Sequence, residues 1–190
     1  NKDESVIWLG STNSGLTKFD KSGFFTYAVQ DGLPSNTIRS LDQRDNGDLI
    51  IACYNKGVAT FNGDSFTLLE NGLDDKRVIA VSIDNNNKIW AAAADPFWKN
   101  EGGLVKFENE KIQKVFSNDD GFPYKNIRAI SQDINNNMLI GGNGGLSIYD
   151  GNSFTNYSAL DGIPFGYITD IMVEGINIWL GSLDGLVLYN

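Results

Sequence analysis

The sequence is poor in the side chains that most hydrolases use for catalysis. It contains no histidine, which removes the commonest general base, the Ser-His-Asp arrangement and histidine-bearing zinc sites. Its single cysteine, Cys53, cannot close an intramolecular disulfide or build a four-cysteine metal site. Asp42 and Asp170 are the nearest candidates for acid-base catalysis, but no nucleophile and base pair can be assembled. We therefore predict a protein that is not an enzyme and that uses no cofactor and no metal ion.

Aromatic and arginine side chains are better suited to binding than to catalysis. Aromatic rings offer stiff contact area for a sugar ring or an apolar ligand, and a guanidinium group can hold a carboxylate or sulfate through two hydrogen bonds. The predicted ligand-binding residues are Phe97, Trp98, Tyr54, Tyr124, Phe165, Tyr167, Arg39, Arg77 and Arg128. Structural roles stay open for all of them. The aromatic residues could pack on a neighbouring surface, and the arginines could pair with the abundant carboxylates.

Three runs rich in Asp and Asn, at 45–48, 84–87 and 133–137, offer oxygen ligands of the kind that calcium prefers. They lack the glycine at position 6 and the glutamate at position 12 that an EF-hand loop requires. Asp and Asn also favour tight turns, because their side chains bond to the nearby backbone. We interpret the three runs as turns between strands.

An internal repeat positions these residues. A glycine followed by an aliphatic residue, with an aromatic residue four positions after the glycine, recurs five times along the chain. The repeated glycines are Gly15, Gly57, Gly103, Gly145 and Gly185, at spacings of 42, 46, 42 and 40 residues. A short apolar run precedes each one, and a Gly, an apolar residue and usually Pro recur between the copies, as in 32–34. Each complete copy predicts four short strands, which we label a to d.

Four antiparallel strands in about 40–48 residues are typical of one blade of a β-propeller. The predicted fold class is all-β, a β-propeller of four-stranded antiparallel blades, present as a partial segment of about five blades. The predicted blade units are about 1–29 (strands b to d only), 30–70, 71–118, 119–159 and 160–190 (strands a to c only). Because both terminal units are incomplete, we expect a longer propeller of six to eight blades. A closed five-blade ring is the alternative.

One face of a propeller gathers the b-to-c loops and the d-to-a loops around the central axis, and this face generally binds ligands. The longest b-to-c loop is the insertion 93–102, which holds the Phe-Trp pair. Tyr124 and Phe165 follow the proline of a d-to-a loop, and Arg39 and Arg128 follow the first aliphatic residue of a strand a. We expect the two arginines to point into the channel.

The stretch 31–66, DGLPSNTIRSLDQRDNGDLIIACYNKGVATFNGDSF, resembles the two-component regulator propeller repeat, and a weaker form of the pattern covers the rest of the chain. The departures, such as Asp74 in place of Pro and Ala52 and Ala92 in place of Gly, fit repeat drift. Propellers of that family usually form the extracytoplasmic sensor half of bacterial hybrid histidine kinases, and they often sense oligosaccharides. Other relatives are cell-surface or secretion-associated proteins without a kinase.

The resemblance implies a non-catalytic, extracytoplasmic propeller, periplasmic or at the cell surface, that senses an oligosaccharide or other small ligand as part of a two-component system. Its further partner would be a neighbouring propeller or another protein. One alternative is a structural or cell-surface assembly module that docks a protein partner through the loop of Phe97 and Trp98. A propeller lyase or glycosidase that uses Asp42 and Asp170 is another. A formal net charge of −9 argues against binding to nucleic acid, and no apolar run is long enough to cross a membrane.

Overall fold

The repeated apolar runs form the strands of five antiparallel sheets, which are the five blades of a β-propeller. The structure, a computed structural model, describes residues 6–69, 73, 76–94, 103–123, 126–163 and 166–189. Three sheets have four strands and two have three, and in every sheet the strands follow in chain order. The described residues include no α-helix. The predicted all-β propeller of antiparallel blades is therefore confirmed.

The strand bounds follow the repeat closely. Blade 1 contains β1 (Ile7–Gly10), β2 (Leu16–Asp20) and β3 (Gly23–Tyr27). Blade 2 contains β4 (Ile38–Gln43), β5 (Leu49–Cys53), β6 (Gly57–Phe61) and β7 (Phe66–Leu68). Blade 3 contains β8 (Arg77–Ile83), β9 (Ile89–Ala94), β10 (Leu104–Glu108) and β11 (Lys111–Phe116). Blade 4 contains β12 (Ile127–Gln132), β13 (Met138–Gly142), β14 (Gly145–Tyr149) and β15 (Phe154–Tyr157), and blade 5 contains β16 (Ile168–Glu174), β17 (Asn177–Ser182) and β18 (Gly185–Tyr189).

The hydrophobic core lies between neighbouring blades. Trp8 of blade 1 meets Phe61 of blade 2 edge to face, with ring centroids 5.8 Å apart. Trp90 of blade 3 stacks on Phe116 of its own blade at 5.6 Å and contacts Tyr149 of blade 4 at 5.8 Å. Trp8 and Trp90 therefore serve packing between blades, because each ring contacts an aromatic ring of the next blade.

The Gly-Leu-Pro segments connect the outer strand of one blade to the inner strand of the next. Three of them begin with a short 3₁₀ turn, at Val29–Asp31, Asn118–Asp120 and Ala159–Asp161, and each turn ends at a glycine with φ between 80° and 92°. The apolar residue after that glycine is buried: Leu33, Phe122 and Ile163. Glycine reaches the left-handed conformation at little cost, and the side chain after it is thereby inserted between the blades.

The glycine that opens the third strand of a blade is needed because the chain passes very close to the next connecting loop. Gly57 has φ of 78°, and a Cβ at this position would lie 2.6 Å from the carbonyl oxygen of Leu73. Gly63, in the hairpin that follows, also has positive φ, but it has no atom near enough to meet a Cβ. Crowding therefore excludes a side chain at Gly57 but not at Gly63.

The strands β4, β8, β12 and β16 lie innermost, side by side around the channel. Side chains of one inner strand bond to the backbone of the next. Ser40 Oγ accepts the amide of Val81 at 3.2 Å, and Asp42 Oδ2 accepts the amide of Ile83 at 2.7 Å. These bonds fix the spacing of the strands that carry the candidate site.

Candidate ligand-binding site

Each of the four inner strands has a shift of register near its start. In β4, Ile38 pairs with Cys53 and Ser40 pairs with Ala52, so Arg39 between them has no partner on β5. The same shift leaves out Ile79 in β8, Arg128 in β12 and Thr169 in β16. A bulge adds one unpaired residue and changes the direction of its side chain. Blades 2 to 5 therefore each present one such side chain at the mouth of the channel.

These four side chains line one cavity of about 310 Å³, whose wall is formed by the inner strands of blades 2 to 5. The structure thus brings Arg39 and Arg128 to a shared space, where both side chains are exposed to solvent. Asp170, one residue beyond the register shift of β16, lines the same cavity. The volume lies at the lower end of the range for small-molecule sites, about 300–1,000 Å³.

Tyr54 follows strand β5 and lies between two arginines. The guanidinium carbon of Arg39 is 4.9 Å from the centroid of the Tyr54 ring, and that of Arg77 is 6.0 Å away. Arg77 Nη1 donates a long hydrogen bond of 3.4 Å to the phenol oxygen. The backbone amide of Tyr54 also bonds to the carbonyl of Thr37 at 2.9 Å, which ties this loop to the chain that enters β4. Tyr54 is therefore fixed by backbone and side-chain contacts.

The two arginines change the acidity of this phenol. The hydrogen bond from Arg77 is the main cause that lowers the pKa of Tyr54 below its usual value, and the charges of Arg77 and Arg39 act in the same direction. Positive charge next to a phenol favours the phenolate form. Two positive charges therefore lie beside Tyr54, although the chain as a whole carries a net charge of −9.

A second arginine-tyrosine pair lies between blades 4 and 5. Arg128 Nε donates to the phenol oxygen of Tyr167 at 2.7 Å, and its guanidinium carbon lies 5.7 Å from the ring centroid. Tyr167 precedes β16 and forms a single bridge with Asn143 of blade 4. The pair therefore joins blades 4 and 5, as the contact between Tyr54 and Arg77 joins blades 2 and 3.

Four of the predicted site residues lie outside the described residues: Phe97, Trp98, Tyr124 and Phe165. The described residues that flank the insertion lie at the same end of blade 3 as Arg77, because Ala94 pairs with Arg77 in the sheet. The remaining five, Tyr54, Tyr167, Arg39, Arg77 and Arg128, form the two clusters described above. Sequence reasoning missed Ile79 and Thr169, although alignment of the repeats places them at the positions of Arg39 and Arg128.

The carboxylates considered for catalysis do not meet. Asp170 lines the cavity at the channel mouth, and its Oδ1 accepts the amide of Ile171 at 2.9 Å. Asp42 lines a different cavity of about 220 Å³, next to the turns at the other end of the inner strands. Cys53 is fully buried, and burial raises the pKa of its thiol to about 12. Because Asp42 and Asp170 line different cavities, they do not form the acid-base pair that was considered from the sequence.

The runs rich in Asp and Asn form turns, as predicted, and their aspartates are used within the fold. Asp84 Oδ1 accepts the amides of Asn86 and Lys88, each at 2.9 Å. Asp133 Oδ1 accepts the amides of Asn135 and Asn137, each at 2.8 Å. Within the described ranges, no group of three or more His, Cys, Asp or Glu residues is arranged to hold a metal ion.

Comparison with solved structures relates this chain to extracellular proteins. It is 27% identical, with a TM-score of 0.79, to the extracellular domain of the proposed hybrid two-component system BT3049 from B. thetaiotaomicron, of which it covers 26%. It is 21% identical, with a TM-score of 0.77, to the extracellular domain of the proposed two-component system BT4673 from the same organism. In both cases the match includes at least 98% of this chain.

A third match shares the fold alone. PorZ, a bacterial surface component of the type-IX secretion system of Porphyromonas gingivalis, is 14% identical with a TM-score of 0.69, and the chain covers 31% of its length.

No family model and no curated protein matches the sequence. None of the described helices is long and apolar enough to cross a membrane. The chain spans about a quarter of the length of the two-component structures that it matches. The resemblance predicted from the repeats is confirmed: this chain is a five-blade β-propeller similar to the extracellular propeller domains of hybrid two-component systems.

Proposed function

We propose that this chain is a non-catalytic, extracytoplasmic propeller that recognises an oligosaccharide and forms part of a two-component sensor. The similarity to extracellular domains of proposed two-component systems supports the sensor role and the location. The observation that carries the proposal is the cavity at the channel mouth, which is lined by Arg39 and Arg128, each in contact with a tyrosine.

The chemistry of this cavity suits a sugar. Tyrosine presents a flat apolar ring for the face of a pyranose and a hydroxyl group for its edge. Each guanidinium group has five N–H donors, and only one donor of Arg128 is used by Tyr167. Arginine side chains held in place by tyrosines lose little further entropy when a ligand binds.

The arrangement also gives binding a route to signalling. The four inner strands that line the cavity belong to four different blades, and hydrogen bonds from β8 to β4 join two of these blades directly. A ligand that touches several blades favours one arrangement of those blades over another by the difference in its affinity for the two. Such a shift of population would then reach a neighbouring propeller or a protein partner.

Isothermal titration calorimetry with a panel of neutral and acidic oligosaccharides tests the proposal. We expect at least one to bind, and we expect the double variant Tyr54→Ala/Tyr167→Ala to raise its Kd by about tenfold, since each aromatic contact contributes about 0.5–1.5 kcal/mol. Phe25→Ala is the matched control, because Phe25 lies on the outer strand β3 and is 47% exposed. Its Kd should equal that of the wild type.

Two results would contradict the proposal. A folded wild-type protein that binds no member of the panel would refute saccharide recognition and favour the alternative, a module that docks a protein partner. Equal affinity for the wild type and the double tyrosine variant would show that the ligand does not contact Tyr54 or Tyr167. Circular dichroism and the melting temperature of each variant show whether it is folded.

A further inference from the structure

We infer that the recognised saccharide carries a carboxylate or sulfate group, and that Arg39 and Arg128 bind this group inside the cavity at the channel mouth. The inference rests on the proposed function and specifies its ligand class. Carboxylated and sulfated sugars share the required chemistry, since both present a negative group with several acceptor oxygens beside ring hydroxyls.

The first argument is the lack of an acidic partner for these arginines. The sequence has 24 acidic residues and 15 basic ones, so a surface cation in this chain has many carboxylates available. Lys18, Lys88, Lys114 and Arg44 each pair with an Asp or Glu. In the part of the chain that the structure describes, Arg39, Arg77 and Arg128 have no such ion pair, and two of them line the same cavity.

The second argument is that the arginines are held in place. Both occupy the register-shifted position of an inner strand, which repeats from blade to blade and projects toward the channel mouth. Tyr54 and Tyr167 contact the two guanidinium groups through their rings or their phenol oxygens. A guanidinium group fixed in this way offers its remaining donors in the paired geometry that carboxylate and sulfate require.

The third argument concerns what else the cavity contains. Asp170 and Thr169 line the wall contributed by blade 5, and their side-chain oxygens can accept hydrogen bonds from sugar hydroxyl groups. Asp170 lies in the same space as the two arginines, so its carboxylate can accept a hydrogen bond from a hydroxyl group of the sugar unit whose acidic group the arginines bind. A sugar unit with one acidic group can bond to the arginines through that group and to Thr169 and Asp170 through its hydroxyl groups.

The test uses three saccharide probes and two charge-matched variants. Trigalacturonic acid supplies carboxylates, a sulfated chondroitin disaccharide supplies sulfate, and maltotriose is neutral. Arg39→Gln/Arg128→Gln removes the two cavity charges. Lys21→Gln/Lys111→Gln removes two exposed charges on the hairpin turn of blade 1 and on β11, far from the inner strands. Calorimetry at low and high NaCl measures the Kd of each probe for the wild type and for each variant.

We expect an acidic probe to bind the wild type at least about tenfold more tightly than maltotriose, with affinity that falls as NaCl screens the charges. The arginine variant should lose at least about tenfold in affinity for that probe and gain nothing for maltotriose. The lysine variant should behave as the wild type does. The relative affinity of the two acidic probes shows whether the site prefers a carboxylated or a sulfated sugar.

The contrary results separate this inference from the function on which it rests. If maltotriose binds as tightly as the acidic probes, and the arginine variant binds all three normally, saccharide sensing stands and the acidic ligand class is refuted. If no saccharide binds, the proposed function is refuted, and a titration with sodium sulfate then tests the arginine pair alone. Sulfate binding that only the arginine variant loses would support an anion site, and equal behaviour of wild type and variant would overturn it.

Discussion

Substitution of Asp84 by asparagine should destabilise the protein far more than the same change at the equivalent position of the next blade. The Asp84 carboxylate, which is 7% exposed, accepts three hydrogen bonds. Two come from the turn amides of Asn86 and Lys88, and the third comes from Trp90 Nε1 at 3.0 Å. Trp90 is 1% exposed, so its N–H group has no access to water if this bond is lost.

The magnitude follows from these contacts. Asparagine can keep Oδ1 for the two turn amides, but its NH₂ group then faces the indole N–H, and two donors cannot bond. A buried donor without an acceptor costs about 1–3 kcal/mol, and the loss of charge from the other bonds adds about 1 kcal/mol. We therefore expect Asp84→Asn to lower the free energy of unfolding by about 2–4 kcal/mol.

Asp133 supplies the matched control. It accepts the amides of Asn135 and Asn137 in the same turn geometry, but its Oδ2 accepts the side-chain amide of Asn137 at 2.8 Å in place of a tryptophan. That amide can rotate and offer its oxygen to an asparagine at position 133. Asp133→Asn should therefore cost only about 1 kcal/mol.

Urea denaturation of both variants at pH 7 measures the difference, and a Trp90→Phe background isolates its cause. Without the indole N–H, the cost of Asp84→Asn should fall to that of Asp133→Asn, which gives a coupling energy of about 1–3 kcal/mol in a double-mutant cycle. Equal costs for Asp84→Asn with and without Trp90 would refute the reasoning.

The remaining predictions concern backbone crowding, the thiol and pH. Gly57→Ala should cost more than about 3 kcal/mol in the free energy of unfolding and Gly63→Ala about 1–2 kcal/mol, since both have positive φ but only the first is crowded. Equal costs would contradict this. Cys53, whose buried thiol has a pKa of about 12, should react with Ellman's reagent at pH 8 only after denaturation. Lys114 lowers the pKa of Asp120 in the folded state, so Asp120 stabilises the fold above the pKa of an unfolded carboxyl, and this stabilisation is lost as the pH falls. The difference in melting temperature between wild type and Asp120→Asn should therefore shrink below about pH 4, and a constant difference would contradict the assignment.

Much of the fold follows from the sequence because each blade solves the same packing problem. The apolar residue of the Gly-Leu-Pro segment recurs in each copy of the repeat, and it is buried in the structure, as Leu33 shows. The placement of Arg39 and Arg128 at one repeat position also followed from alignment. These features depend on residue type and spacing within one repeat, which a single sequence displays.

The parts that could not be predicted depend on contacts between repeats. Nothing in the spacing marks the register shift that leaves Arg39 unpaired, because the shift depends on how two strands pair and not on the sequence of one strand. The hydrogen bond from Arg77 to Tyr54 joins two blades, and the bond from Trp90 to Asp84 depends on one side-chain rotamer. The separation of Asp42 from Asp170 into two cavities likewise requires the assembled channel.

Hydrogen exchange measured by mass spectrometry, with and without an acidic oligosaccharide, tests the location of the binding site most directly. The probe is trigalacturonic acid or the sulfated chondroitin disaccharide, whichever binds more tightly. We predict slower exchange in peptides that contain 37–41, 54–57 and 166–170, and unchanged exchange in the turns 44–48 and 133–137 at the other end of the inner strands. Protection confined to those turns would contradict the account.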